Sequence, residues 1–429
     1  MPLRSPAALL AALLLLAGFV FVSTGPAHSA DFTDSAGRRV VLPDRIGRIM
    51  PAEPNAEVLV FVVAPNTLVG AAHVAGRSST RVGRTPVIEW ASRATPAGMA
   101  DAARQFRPEL IVDAGPVTPE RAAFADQVTQ LTGIPYVLVE DSFARMPKVL
   151  RTTATILGVD SRRIHDLFIF AEHAIADLRG RLLIRPANER PRVYFALGPD
   201  GLTTALPGSP AGEAIDEAGA INVAGALGRG TEAAVNREQL LGWDPEIIIA
   251  EGRSAYDALH RNPAWRGLSA VRNKRVYLEP SYPFGWIEGP SGVNRLIGLY
   301  WLSTLFYPDA TQEDLRASAC EFYDKFYKMK LTNARLEAMV RAAGIPPPEV
   351  LHAVGEPLVG LGAALPTPLS PGAAGEAAAA TASAQAATCT LPSAPSPYLT
   401  GATEAVPPAT APGVLSPGRR GRSGGLAPQ

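Results

Sequence analysis

Tyr282, Phe284 and Trp286 alternate through SYPFGWIEGPSG, residues 281–292, where one carboxylate, Glu288, stands among Gly and Pro. Rings spaced this way can offer flat apolar faces to a ligand, and Glu288 can pair with a cationic group. The other reading makes the rings plugs over apolar core. Pro290 and Ser291 open a helical pattern, whose free N–H groups suit an anion. Similar loops supply the other candidates: Glu53 and Asn55 in MPAEPNAE, His73 in AAHVAG, Thr203 in LGPDGLTT and Glu251 in AEGRS. A neutral His73 imidazole could fill an open position on a chelated metal. It stands alone, because His165 and His173 share one face of a helical stretch elsewhere. No multi-His or multi-carboxylate spacing builds a metal cage, and no cofactor motif appears. There is no credible Ser-His-Asp order and no phosphate-cradling Gly loop. GRSGG near the C-terminus matches a serine-hydrolase pattern without the strand and helix that would give it meaning. The chemistry expected is binding, not turnover.

Two series of short apolar runs position these loops. GRIM, TLVGAAH, ELIVDAG and PYVLVED read as strands, alternating with helical stretches at 102–106 and 119–131. RVYFAL, EIIIAEG and RVYLEP form a second strand series, with AGEAIDEAG, REQLLGW and PSGVNRLIGLYWLSTLF as helices. This alternation predicts an α/β fold with two parallel-sheet lobes. Between them, residues 161–183 hold Ile164, Leu167, Phe168, Ala171, Ile175 and Leu178 at helical spacing. One amphipathic helix of about 34 Å follows from 1.5 Å per residue, a rigid strut between the lobes. The predicted limits are 31–158 for the N-terminal lobe, 159–186 for the connecting helix and 187–344 for the C-terminal lobe. In such lobes the loops leaving strand C-termini make the binding crevice, and the candidates above sit there.

The 429-residue chain is 47% hydrophobic, and its 40 basic residues balance 40 acidic ones. That balance argues against a nucleic-acid partner. Residues 1–30 carry one Arg, an apolar run of about 16 residues and the small-residue end AHSA, which predicts a signal peptide cleaved near Ser29 or Ala30. No Cys lies there, so a lipid anchor is not expected. Cys320 and Cys389 could pair in an oxidising compartment, although nothing in their setting demands it. Residues 345–429 lose periodicity, are rich in Pro, Ala and Gly, and read as a disordered tail.

DAARQFRPELIVDAG and EQLLGWDPEIIIAEG, one from each half, can be superposed. In each, an acidic residue, Asp101 or Glu238, precedes Pro by seven positions, and Pro-Glu opens a strand. Either carboxylate could stabilise the first turn of its helix. Recurrence in both halves equally suits a two-point electrostatic dock onto a symmetric partner.

With these features in place, the sequence resembles the periplasmic substrate-binding proteins of ABC importers for iron-siderophores, haem, cobalamin and related metal complexes or oxyanions. The resemblance covers residues 31–344 and rests on the exported start, DSAGRRVVLPDRIGRIM, RPELIVDAG, DPEIIIAEG, the single linking helix and NRLIGLYWLSTLFYP. It implies a monomer with a ligand cleft between two lobes, docking by one acidic residue per lobe onto arginines of a permease dimer in the inner membrane. By position these are Asp101 and Glu238; the family more often has Glu at the first, and Glu89 in TPVIEW is a second candidate. An iron-siderophore type of metal chelate is the leading expectation for the ligand. An oxyanion of the molybdate type, a nickel complex, haem or cobalamin are the alternatives. A ligand-sensing module outside transport and an exported enzyme are the readings from other classes.

Overall fold

The computed structural model describes residues 30–72, 86–89, 93–159, 161–183, 186–308, 312–344 and 389. The expected signal peptide, His73 and, apart from Cys389, the expected C-terminal tail lie outside the described residues.

Strands β1 (Ala30–Thr33) and β2 (Arg39–Leu42) form an antiparallel hairpin. Its DSAGR turn is organised by buried Asp34, which accepts the Ala36 and Arg38 amides and the Arg38 guanidinium. Asp34 also accepts the Leu138 amide, so a local Asx-type turn becomes a long-range clamp.

β3 (Ile49–Pro51) leads into α1 (Pro54–Val63). Next come α2 (Pro96–Phe106), β4 (Leu110–Gly115), α3 (Pro119–Thr132), β5 (Tyr136–Glu140) and α4 (Met146–Ile156). The three strands make a parallel sheet in the order β3-β4-β5. TLVGAAH, expected as a strand, supplies only single bridges, Leu68 to Ile49 and Ala71 to Val87. Pro86, beside Val87, has no N–H to extend the second of these.

α5 is a 23-residue helix, Ser161–Leu183, at the expected position. Its buried stripe runs through Ile164, Leu167, Phe170, Ala171, Ala174, Ile175 and Leu178. Phe168, expected on that stripe, is only half-buried, with the Arg151 guanidinium 3.7 Å from its ring centre.

β6 (Arg192–Leu197), β7 (Thr203–Ala205), α6 (Pro210–Glu217), β8 (Ile221–Asn222) and β9 (Glu232–Ala234) follow. Then come α7 (Arg237–Trp243), β10 (Ile247–Ala250), α8 (Arg253–Arg261), α9 (Ser269–Arg272) and β11 (Val276–Leu278). The second sheet runs β11-β10-β6-β7-β9, with β8 also on β6. It is mixed: β6, β8, β10 and β11 pair in parallel, whereas β7 is antiparallel to both β6 and β9. The purely parallel expectation fails here because Asp200 and Gly201 (φ +75°) turn the chain straight back on β6.

Three helices complete the order: α10 (Arg295–Phe306), α11 (Gln312–Tyr327) and α12 (Asn333–Ala342). Every residue of α10 is buried, and a short 3-10 turn, Gly292–Asn294, precedes it, so the α-helix starts later than Pro290. Cys320 on α11 is disulfide-bonded to Cys389, which settles the pairing left open above.

Alternation along the strands divides the core. Ile49, Leu110, Val112, Val137, Val193, Phe195, Ile247 and Ile249 join the main cluster around α10, while Met50, Ile111 and Tyr136 face a second cluster and Tyr194, Ile248 and Val276 a third.

The repeated Pro-Glu segment proves to be a joint between helix and sheet. α2 and α7 each end on a left-handed non-Gly residue, Arg107 (φ +48°) and Asp244 (φ +39°), followed by Pro. Glu109 then accepts the Gly47 and Arg48 amides at the start of β3, and Glu246 accepts the Arg192 amide at the start of β6. In return Arg48 donates to Arg107 and Phe106 carbonyls, and Arg192 to the Trp243 carbonyl. Each joint therefore satisfies carbonyls left over at a helix end.

Arg295 at the start of α10 is 1% exposed and donates to Asp141 at 3.0 Å and Glu213 at 2.6 Å. Its Nη2 also reaches the Asp141 carbonyl, and Glu213 in turn accepts the Phe143 amide. We expect Arg295→Met to cost about 3–5 kcal/mol in denaturant unfolding, because it strands two carboxylates. Adding Asp141→Asn and Glu213→Gln should restore part of that loss.

Candidate functional site

A cavity of about 220 Å³ opens where several connections meet. Glu53, Pro54 and Asn55 line it from the β3–α1 junction, Ala114, Gly115, Pro116 and Arg121 from β4 and α3. Pro210 at the start of α6 and residues 288–291 close the other side.

The α1 start is suited to anions. Pro54 occupies its first turn, Glu53 makes no side-chain cap, and first-turn amides have no acceptor within their own helix. Arg121 lies in the first turn of α3, behind the Thr118 cap that accepts its amide at 3.3 Å. A cation there opposes the helix dipole and needs a reason. The reason is Asp113 on β4, a buried carboxylate paired with Arg121 Nη2 and accepting the Tyr136 hydroxyl at 3.2 Å. Burial pushes Asp113 up, with the Arg121 charge pulling the other way, and burial likewise carries the Tyr136 phenol well above its ordinary range. Among the described residues, the buried Arg121 Nε has no hydrogen-bond partner. Gly115 makes room for this guanidinium, since a Cβ there would sit 2.9 Å from Nη1.

Glu53 is held by buried Arg93 at 3.4 Å, which also donates to the Ala52, Ala72 and Ile88 carbonyls. Burial and then the Asp113 charge raise its carboxyl above the usual range, against Arg93 and Arg121. On the far wall, Glu288 Oε2 accepts the Ala211 amide of α6 at 3.1 Å. Burial, and then the neighbouring Glu251 charge, push Glu288 up to about 7, while the Ala211 amide and Arg295 act in the opposite direction. The loop is shaped by Glu279, 3% exposed, whose Oε1 accepts the Ile287 and Glu288 amides at 2.6 and 2.9 Å. Burial drives Glu279 well above the carboxylate range. Gly285 is required in this turn, because a Cβ would fall 1.8 Å from the Glu288 carbonyl oxygen.

The structure brings Glu53, Asn55 and Glu288 together at one cavity. Glu251 stands behind its wall, close enough that a Cβ on Gly289 would meet Glu251 Oε1 at 2.6 Å. Thr203 is part of β7, paired with Leu197 and Ala234, and is not in the cavity lining. The three rings also depart from the ligand-contact expectation. Phe284 and Trp286 are 1% and 0% exposed in the main core. Trp286 Nε1 donates to the Tyr323 hydroxyl at 3.1 Å, and Phe284 packs against Phe61 and Tyr327. Tyr282 is half-buried beneath the Arg335 guanidinium, 4.1 Å from its ring centre. The rings face inward because α10 and α11 present an apolar surface that the loop must cover.

Sequence reasoning missed Arg121, Gly115 and the α6 start. The available signal was the Arg itself, a cation placed at the positive end of a helix that begins TPER. Of the docking candidates, Asp101 lies in the second turn of α2, 73% exposed and paired with Arg104, not in the first turn as expected. Thr95 caps that helix instead. Glu238 is exposed in the first turn of α7, beside a capping box made by Asn236 and Gln239. Glu89 is exposed in the segment 86–89, and His165 and His173 are exposed on α5. Among the described residues, no group of three or more His, Cys, Asp or Glu could hold a metal ion, and no helix is long and apolar enough to cross a membrane.

A family model described as Periplasmic binding protein matches residues 105–283. The molybdate-binding protein MolA of Haemophilus influenzae is 32% identical over 145 residues, which is 33% of this chain and 40% of that relative's length. Among solved structures, an ABC transporter solute binding protein from Sulfurospirillum deleyianum superposes with a TM-score of 0.64 at 25% identity, covering 72% of this chain and 99% of that one. The Haemophilus influenzae MolA structure bound to molybdate gives 0.60 at 21% identity, covering 70% and 98%, a likeness of fold.

The inward position of Trp286 is testable by unfolding. Trp286→Ala should cost about 3–5 kcal/mol in denaturant titration, the range for emptying a large aromatic site in a core. A loss below about 1 kcal/mol would return Trp286 to a solvent-facing wall.

Proposed function

We propose that this chain, whose residues 105–283 match the Periplasmic binding protein model, is the substrate-binding component of an ABC importer whose cargo is a small oxyanion of the molybdate type. The carrying observation is that Arg121, a cation in the first turn of α3, lines a small cavity together with the start of α1. A guanidinium N–H and helix-start amides are donors, and a tetrahedral oxyanion presents acceptors on every side.

Size and lining argue against the larger ligands. Drug-sized molecules occupy pockets of roughly 300–1,000 Å³ with apolar and aromatic walls. This cavity is about 220 Å³, and among the described residues no aromatic side chain lines it. The aromatic contacts expected for a flat or apolar ligand are also lacking, since Phe284 and Trp286 are core residues here. The likeness to molybdate-binding MolA points the same way.

In this reading residues 31–158 and 187–344 are the two lobes, with residues 159–186 as a strut that limits closure. The protein works as a monomer in the periplasm, after cleavage near Ser29 or Ala30. It delivers its anion to a permease dimer in the inner membrane, docking through Glu238 and through Asp101 or Glu89.

Calorimetric titration of the purified protein tests the cargo. Molybdate, tungstate and sulfate should include at least one tight ligand at one site per monomer, while ferric siderophores, haem, cobalamin and nickel-histidine give no signal. Arg121→Ala should weaken oxyanion binding by roughly 10- to 100-fold, the worth of a charge-assisted hydrogen bond. A folded protein that binds a siderophore or haem but no oxyanion would sink the proposal.

A further inference from the structure

The cavity has an electrostatic difficulty for a dianion. Its cations are already matched: Arg121 is paired with Asp113, and Arg93 with Glu53. Arg295, facing Glu288 from α10, is shared by Asp141 and Glu213. Glu288 is the surplus charge. Its other neighbours are carboxylates as well: Glu251 beyond β10, Glu232 on β9 and Glu279 at the root of its own loop. Glu288 cannot simply swing away. Its backbone amide is held by Glu279 and its Oε2 accepts the Ala211 amide. An ionised Glu288 would therefore repel a fully ionised oxyanion at close range, in a partly desolvated site where charges interact strongly.

A proton removes the conflict. Oε2 remains the acceptor for Ala211, so the proton belongs on Oε1, where the carboxylic acid becomes an O–H donor in the lining of the cavity. We infer that Glu288 is a ligand-binding proton carrier: a fully ionised oxyanion is bound with Glu288 protonated, the proton coming from solvent wherever the free carboxyl is ionised, and the resulting O–H donates to an anion oxygen. This rests on the oxyanion reading above and adds a specific residue and a stoichiometry to it. The carboxyl titrates at about 7 without ligand, so its half-neutral state lies in an accessible range. Below about pH 6 Glu288 is already neutral and affinity should be level. Above 7 each binding event must take up the proton, and affinity should fall by up to about tenfold per pH unit.

The test uses molybdate, or sulfate if it binds more tightly, because both remain fully ionised across this range. Titrations near pH 8 in two buffers of different ionisation enthalpy give the proton uptake directly, expected to approach one per anion. Kd measured from about pH 6 to 8.5 should be level and then weaken. Glu288→Gln keeps an amide donor and a carbonyl acceptor in place. It should abolish the uptake and level the pH profile, with tighter binding than wild type at the alkaline end. A wild-type profile that is flat, with no uptake, overturns the inference while leaving the oxyanion reading intact. A Glu288→Gln profile with the wild-type slope also overturns it, placing the proton on another carboxyl such as Glu53. Should Glu288→Gln fail to fold by circular dichroism, Glu53→Gln takes its place: uptake and slope kept in that variant support Glu288, and their loss overturns the inference. Absence of oxyanion binding at about pH 6 overturns the oxyanion reading and this inference with it.

Discussion

Arg295 is the contact on which the rest of the site depends. A guanidinium at 1% exposure must be surrounded by acceptors, and it finds them on the connection after β5, on α6 and in the turn before α10. Three distant stretches of chain are thereby brought to one point. The fully buried α10 starts there, and the loop ending in Glu288 to Ser291 enters it. Burying these charges is favourable only while the set is complete. The arrangement thus supplies positional specificity to the cavity wall more than net stability.

In the proposed reading the cavity is a preorganised donor site with few free charges. Asp113 holds Arg121 from below and Arg93 holds Glu53, so both side chains are oriented before any ligand arrives. Fixed donors lower the ordering cost of binding. The same pairing cancels the attraction a dianion would otherwise feel, leaving dipoles, one guanidinium edge and the state of Glu288 to decide the outcome. A cavity built this way is suited to a small acceptor-rich ligand and has little to offer a flat aromatic one.

Much of the scaffold was legible along the chain. The 161–183 helix, most strands and the crevice loops announced themselves through local periodicity and turn residues. The repeated Pro-Glu segment was also visible, although its meaning differed. Its spacing draws attention to the outlying acids, Asp101 and Glu238, whereas the Glu after each Pro does the structural work by gripping the start of a neighbouring strand. Those grips join residues 54 to 62 positions apart, which spacing within one helix cannot reveal. The opening aromatics show the same limit. Loop position suggested exposure, yet Tyr323, Tyr327 and Phe61 come from other helices to enclose Phe284 and Trp286.

By itself the sequence determined the α/β character, the long helix between two strand series, and the loops that would surround a site, because these follow from hydrophobic period and turn chemistry over a few neighbouring residues. Only the tertiary structure decided which side chains of those loops face the cavity. Arg121 points there because Asp113 and Gly115 give it a seat, Thr203 is withdrawn into a strand by a tight return, and Cys320 meets Cys389 across 69 residues. Each outcome is set by partners far along the chain, whose approach is fixed by packing and not by local spacing.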